Sequence, residues 1–308
     1  MSATGKKTLR MEQSVPSIRN EVESTHENMF FSVVTPTFNQ PEWVRVCAAS
    51  VADQTGVTFE HIIQDGGDGR GLGWLENTPR ARVFVEPDRG MYDALTKGIS
   101  RAAGDVISHL NSDEQYLPGT LEFVQEFFTR NPKIEVLFGD AILVDADGKP
   151  LSYRRIVSPL RSHILACHLG TLTCSTFFRR TVVERGLSYA GSWQDVGDVA
   201  LILSWLNAGI KMAAIHRPLA VFTFTGVNRS RGKIAKEEGA MFLRAQGASP
   251  RLLHRAIAAA QHRVRKLIAG AYRRRNLSIE IFTLGSPEHR QRFVAHNLGF
   301  GWPNGQVA

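Results

Sequence analysis

The stretch Val83–Tyr116, VFVEPDRGMYDALTKGISRAAGDVISHLNSDEQY, most constrains what this chain can fold into. It predicts a strand, a polar loop, a helix (Met91–Ala103) with Tyr92, Leu95, Ile99 and Ala102 or Ala103 on one face and Gly104 at its stop, and then the strand Val106–Leu110. Strand, helix and strand in that order make a βαβ unit, whose strands run parallel in one sheet. The second strand delivers Asn111, Ser112, Asp113 and Glu114 to its carboxyl end, where open α/β sheets place their ligands. Adjacent Asp113 and Glu114 repel each other unless a cation or a donor-rich ligand neutralises them, which points to a divalent metal carrying a nucleotide diphosphate.

The alternation extends on both sides. Phe30–Thr35 predicts a buried first strand closed by Pro36, Thr37, Phe38 and Asn39, and Gln40–Gln54 a helix with Trp43, Val46, Cys47, Ser50 and Val51 at helical spacing. Phe59–Gln64 is a strand ending at Asp65-Gly66-Gly67-Asp68-Gly69, and Arg82–Glu86 one ending at Pro87-Asp88-Arg89-Gly90. On a parallel sheet these strand-end loops share one rim. No G-x-G-x-x-G bridges a strand and a helix and no G-x-x-x-x-G-K-[ST] occurs, which disfavours dinucleotide and P-loop folds. Pro118–Thr129 reads as a helix, Glu135–Asp140 as a strand, and Val144–Lys149 as a hairpin-type turn.

From about Leu151 the elements become shorter and mixed. Thr173–Phe178 is strand-like, Thr181–Arg185 starts a short helix, and Trp193-Gln194-Asp195-Val196-Gly197-Asp198 leads into an apolar helix, Val199–Asn207. Ile210–Ile215 and Leu219–Phe224 predict two strands joined by His216-Arg217-Pro218, and polar Asn228–Gly247 predicts a flexible loop or linker.

Charge matters through its location. The net charge of +8 resides in Arg251–Arg275, which holds eight Arg or Lys and no acid; the remaining Lys and Arg equal the 29 Asp and Glu. In that segment Leu253, Ile257, Ala260, Val264, Leu267, Ile268 and Ala271 recur at helical spacing. An apolar face beside a basic one suits an anionic membrane surface; equally, the apolar stripe packs on the body and the arginines are solvated. Nucleic acid is not expected, since no aromatic platform accompanies the charge. Residues 276–308 carry no readable pattern. Cys47, Cys167 and Cys174 form no C-x-x-C pair, which argues against a zinc or disulfide framework and for a reducing cytosol. The leader lacks a signal-peptide core and reads as a flexible tail, and no run approaches the ~18 apolar residues of a membrane span.

Val33-Val-Thr-Pro-Thr-Phe-Asn39, His61-Ile-Ile-Gln-Asp65-Gly-Gly, Glu86-Pro-Asp-Arg-Gly-Met-Tyr-Asp-Ala-Leu-Thr-Lys-Gly98 and His109-Leu-Asn-Ser-Asp-Glu114 resemble, in order and spacing, family 2 glycosyltransferases of the GT-A fold. The third motif resembles the E-P-D-x-G-x-Y-D-A-M-N-K-G signature of bacterial enzymes that build surface polysaccharides. The likeness covers Phe30–Phe224. It implies that Thr35, Pro36 and Asn39 line the nucleotide pocket, that Asp65 binds the uracil or ribose side of the donor, and that Asp88, Gly90, Asp93 and Lys97 lie beside the sugar and diphosphate. Asn111-Ser112-Asp113 takes the place of the family's D-x-D, with Asp113 the leading metal ligand and Glu114 a second, for Mg²⁺ or Mn²⁺. Asp198 matches the catalytic base, with Asp195 its rival. The chain departs from the pattern at Asn111 for the first acid, at Glu114 for a common Asp, at Thr96 for Asn, and in lacking a His just ahead of Thr173, although His168 is nearby.

The expectation is therefore an α/β, GT-A nucleotide-diphospho-sugar transferase fold, with a mainly parallel central sheet flanked by helices and a C-terminal helical extension. Its parts are a tail over 1–28, a transferase domain over 29–227, and a linker with a basic amphipathic helical extension over 228–308. The resemblance implies an inverting transferase taking a sugar from a nucleotide-sugar, UDP-linked, to a hydroxyl of a glycan or lipid-linked saccharide. It would work in the cytoplasm or peripherally on the inner face of the membrane, touching anionic lipid through residues 251–275. A nucleotidyltransferase and a non-catalytic nucleotide-sugar-binding protein on the same fold are the alternatives.

Overall fold

The computed structural model describes residues 28–190, 193–225, 233–249 and 251–303. The expected N-terminal tail, Gly191-Ser192, the start of the expected linker and the last five residues lie outside them. The first half alternates as the apolar periodicity requires: β1 (Phe30–Thr37), α1 (Pro41–Ala52), β2 (Thr58–Asp65), β3 (Ala81–Val85), α2 (Met91–Ser100) and β4 (Val106–His109). The strands β3, β2, β1 and β4 lie side by side and all parallel. Pro41 opens α1, where its missing N–H loses nothing.

Next come β5 (Gln115–Tyr116), α3 (Thr120–Arg130), β6 (Val136–Asp145), β7 (Pro150–Arg154), α4 (Arg161–Ala166), β8 (Thr176–Arg179), α5 (Arg180–Glu184), α6 (Gly197–Asn207) and β9 (Met212–Phe224). Beyond β4 the sheet continues through β8, antiparallel to both β4 and β6, and β6 pairs in parallel with β9. The product is a mixed α/β sheet with helices on both faces.

Period-two alternation assigns the two cores. Val34, Ile62, Ile107 and Phe178 face α2 and α6, meeting Leu95, Ile99, Leu201 and Trp205. Their neighbours Phe31, Val33, Val106 and Phe177 face α1 and α3, meeting Cys47, Val51, Leu121 and Phe128. Glu60 on β2 ties the edge together. It accepts the Ser32 hydroxyl at 2.7 Å and the Ala103 N–H at 2.6 Å, and pairs with Arg82 at 2.6 Å.

Three expectations need correction in the second half. The two strands expected around His216-Arg217-Pro218 are one, β9: a register shift opposite Asp140 accommodates Pro218, which has no N–H to give the ladder. The expected linker is largely helical, α7 (Lys233–Ala245), because Phe242 buries against the α2–α6 core. The extension is only partly helical: after α8 (Leu252–Ile268) the chain forms a hairpin, β10 (Arg275–Thr283) with β11 (Ser286–Leu298).

The hairpin is fastened to the body. Ile279, Ile281 and Leu298 pack against Ile142, Tyr153 and Val221, and Gln115 exchanges hydrogen bonds with the backbone of Phe282 at 2.9 Å each. Arg290 grips both carboxylate oxygens of Asp53 at 2.6 and 2.8 Å. Helix α8 is amphipathic with its faces reversed. Ala258 and His262 are its buried residues, whereas Leu253, Ile257, Val264 and Leu267 are 48 to 69% exposed and Ile268 is 81% exposed. The expectation that the apolar stripe packs on the body is not what forms.

Candidate active site

Parallel pairing of β3, β2, β1 and β4 brings four strand-end loops to one rim, where they meet closely. A Cβ on Gly66 would lie 2.0 Å from Asp88 Oδ2, and one on Gly67 would lie 2.5 Å from Asn39 Oδ1. The β2 loop is thus glycine because side chains from the β1 and β3 loops occupy the space. Asn39 adopts φ 54°, which short polar residues tolerate. Asp65 is buried and accepts the Gly69 N–H at 2.9 Å, and Asp88 accepts the Gly90 N–H at 2.8 Å.

The loops after β1, β3 and β4 wall an open cavity of about 1280 Å³, larger than the roughly 300–1,000 Å³ of a drug-sized site. Of the residues singled out from sequence, Pro36, Asp88, Gly90, Asn111, Ser112, Asp113, Asp195 and Asp198 line it. Thr35 does not: it is fully buried in β1, with its hydroxyl 2.8 Å from His61 Nε2. Asn39, which is exposed, and Asp65, which is buried, do not line it either.

Asp93 and Lys97 also stand back from the cavity and shape the β3–α2 loop. Asp93 accepts the backbone N–H and a guanidinium N–H of Arg89 at 3.1 and 2.9 Å, and Lys97 donates to the Pro87 carbonyl at 2.6 Å. The hydrogen bonds from Arg89 overcome burial and hold the Asp93 carboxyl below the usual range.

After β4, Asn111 turns its amide oxygen to His109 Nε2 at 2.6 Å, and the other ring nitrogen meets the Tyr189 hydroxyl at 3.0 Å. Burial pushes His109 down to about 4, so the ring is neutral; Nε2–H donates to Asn111 and Nδ1 accepts from Tyr189. Ser112 donates to Gln40 Oε1 at 2.8 Å. Asp113 faces the cavity, and burial raises its carboxyl to about 6. Glu114 is more deeply buried and does not line the cavity. Its Oε2 accepts the Asn111 N–H at 2.8 Å while Oε1 has no partner, and burial, then Asp113, raise it to about 8.

Asp198 sits in the first turn of α6. Its Oδ1 accepts the Val199 N–H at 2.7 Å and the Tyr92 hydroxyl at 3.4 Å, and burial raises its pKa. The Tyr92 ring fills the space where a Cβ on Gly197 would stand, 2.6 Å away, so glycine there lets α2 approach α6. Thr96 donates to the carbonyls of Tyr92 and Tyr189 at 2.7 and 3.1 Å, tying α2 to the segment before α6.

Sequence reasoning missed several of these parts. Glu238 on α7 receives the backbone N–H groups of Gln194 and Asp195 at 3.0 and 2.7 Å, and Gln194 donates to the Arg89 carbonyl at 2.9 Å. The segment carrying Asp195 is thus held between α7 and the β3–α2 loop. Nothing local in the sequence marks Glu238, because its partners lie more than forty residues away. The far wall of the cavity, with Tyr153, Arg154, Lys266, Tyr272 and Trp302, comes from the second half and the extension.

Fold and rim together define a GT-A glycosyltransferase architecture. The family described as glycosyl transferase family 2 matches residues 32–187, half of the chain, and the chain belongs to that family. It is 29% identical over 120 residues to a PGL/p-HBAD biosynthesis glycosyltransferase of Mycobacterium tuberculosis, covering 37% of this chain and 47% of the relative. Hyaluronan synthase of Pasteurella multocida is 27% identical over 148 residues, 45% of this chain and 15% of that protein. The chain thus spans about half or less of the length of these relatives. Among solved structures, Staphylococcus aureus TarS 1-349 in complex with UDP-GlcNAc superposes with a TM-score of 0.58 at 18% identity, covering 78% of this chain and 73% of that one. At that identity the likeness concerns the fold.

Proposed function

We propose that this protein transfers a sugar, with inversion, from a UDP-linked donor to a hydroxyl of a glycan or lipid-linked saccharide. The observation that carries the reading is the placement of Asp113 and a half-buried, poorly neutralised Asp198 on one cavity roofed by the β1 and β3 loops. The relatives named as glycosyltransferases and the UDP-GlcNAc complex of the fold neighbour support it.

In this reading Pro36 and Asp88 contact the donor, with Asp65 and Asn39 holding the shape of its pocket. The Asp113 carboxylate fits a divalent cation: it reaches the cavity, and the repulsion between two adjacent acids favours one. Glu114 joins it only by turning its unpartnered Oε1 outward. Mg²⁺ or Mn²⁺ held there would neutralise charge on the departing diphosphate. Asp198 takes the acceptor hydroxyl's proton as the oxygen attacks the anomeric carbon and the bond to phosphate breaks on the opposite face. One displacement inverts the centre, so no enzyme nucleophile is required. Asp195 lines the same cavity, but its segment is a strap held by Glu238.

The reversed faces of α8 extend the proposal to location. An exposed stripe of Leu253, Ile257, Val264, Leu267 and Ile268 flanked by arginines fits an anionic lipid surface, placing the enzyme peripherally on the inner face of a membrane. Among the described residues no helix is long and apolar enough to cross one.

Calorimetric titration of UDP, GDP and dTDP with and without Mn²⁺ tests the core of this reading. UDP binding strengthened at least about tenfold by Mn²⁺ is expected, with the Mn²⁺ effect lost in Asp113→Ala. Absence of binding by all three nucleotides overturns the proposal, and UDP binding without turnover of any UDP-sugar moves the protein to the non-catalytic alternative.

A further inference from the structure

Away from Asp113, the polar face of α8 meets α4 through three histidines. His163 lies on α4, His168 follows that helix, and His262 lies midway along α8. The His163 and His262 rings stack with centroids 3.3 Å apart and 12° between planes, and His168 stands edge-on to both at 5.0 and 5.8 Å. One ring nitrogen from each residue falls within a 4.8 Å envelope. His163 and His262 are 4 and 6% exposed, and Nε2 of the first and both nitrogens of the second are buried with no hydrogen-bond partner.

Buried polar atoms are ordinarily paired, so three orphaned nitrogens in one cluster call for a ligand. A proton shared between rings would supply a donor, but the surroundings oppose one. Lys266 and Arg265 on α8 and Arg154 on β7 bear on the cluster, and no carboxylate joins it among the described residues. Burial first, then a neighbouring histidine, and then Lys266 and Arg265 hold His163 down to about 4 and His262 to about 3, leaving neutral rings with in-plane lone pairs.

We propose that His163, His168 and His262 form a three-histidine site for a zinc-type transition-metal ion that fastens α8 to α4. Imidazole nitrogens on a tetrahedral ion at ~2.0–2.1 Å stand about 3.3 Å apart, within the 4.8 Å envelope, and binding requires the stacked His163 and His262 rings to tilt out of their near-parallel planes so that both lone pairs meet at the ion. Neighbouring cations penalise every divalent ion, and only metals with strong imidazole affinity, such as Zn²⁺, Co²⁺ or Ni²⁺, overcome that. Mg²⁺ and Mn²⁺ prefer the oxygens of Asp113. His168 is exposed and lines the large cavity, so the fourth position of the ion opens toward it. The docking is already specific to this face: Arg255 donates to the Ala166 carbonyl at 3.3 Å and Arg265 to that of Ser158 at 2.8 Å.

The experiment uses untagged full-length protein stripped with a chelator, titrated with Zn²⁺ in excess Mg²⁺ and followed by calorimetry and thermal unfolding. One zinc per chain is expected, with a raised unfolding midpoint. His168→Ala, exposed and so harmless to the core, should weaken zinc binding by about 100-fold or more, while Asp113→Ala leaves it unchanged. Cobalt should give a ligand-field spectrum in the wild type that His168→Ala abolishes. No zinc uptake, equal uptake by His168→Ala, or loss of zinc in Asp113→Ala overturns the site.

Discussion

Burial lifts the Asp198 carboxyl above its ordinary range while giving it only the Val199 N–H and a long contact from the Tyr92 hydroxyl. A base must be ionised to act, so turnover should fall as pH drops through this raised value, above the 3.8 of an ordinary Asp. Removing the proposed base in Asp198→Asn should lower kcat by about 10²- to 10⁴-fold with UDP affinity intact. Steady-state kinetics with calorimetry checks both; activity surviving in Asp198→Asn transfers the role to Asp195. Tyr92→Phe removes the hydroxyl donor and should move the acid limb of the pH profile upward, because the carboxylate loses a hydrogen bond. At this scale the sequence was informative wherever a residue type speaks for itself. Asp113, read from its place at a strand end, and Asp198, implied by the family resemblance, both line the cavity. Thr35 was misplaced, because it lies within β1, fully buried and committed to His61, while Pro36, Thr37 and Phe38 at the strand end line the cavity.

Among the elements, β1 to β4 form a rigid frame, and Glu60 is the side chain that joins most of it. Burial alone would raise its pKa, but the Ala103 N–H, the Ser32 hydroxyl and Arg82 together hold it below the usual range. With the folded-state value depressed, its stabilisation is present above the unfolded pKa and is lost as pH falls through the folded one. Glu60→Ala should destabilise the protein by about 2–3 kcal/mol, chiefly by orphaning the Ser32 and Ala103 donors, and the loss should shrink in acid. Denaturant unfolding at neutral and acidic pH measures it. An unchanged midpoint at neutral pH refutes this account of the frame. The parallel half was legible because hydrophobic runs, turn residues and helical spacing agree there. The extension was not: β10 and β11 alternate too weakly to read alone, and they become a hairpin by packing Ile279 and Ile281 on β6 and β9.

For the whole molecule, the proposed membrane contact rests on the exposed apolar stripe of α8. Flotation with vesicles containing anionic phosphatidylglycerol should recover the wild type at low salt. The triple substitution Val264→Ser, Leu267→Ser and Ile268→Ser, at exposed positions, should reduce recovery by about tenfold or more, and neutral vesicles should recover little. Equal recovery of wild type and triple variant refutes a membrane role.

The sequence by itself determined the parallel α/β frame, the order of its strand-end loops and the acids at their tips, because each depends on residues close together in the chain. The opening stretch, Val83–Tyr116, already contained one wall of the cavity and the carboxylate of Asp113 that faces it. Only the tertiary structure decided which loop residues face the cavity, that α7 holds the Asp195 strap through Glu238, and that α8 turns its polar face inward onto His163 and His168. Those outcomes depend on which surfaces meet across distances of forty to a hundred residues, and hydrophobic periodicity identifies a helix's apolar face without saying whether protein or lipid will cover it.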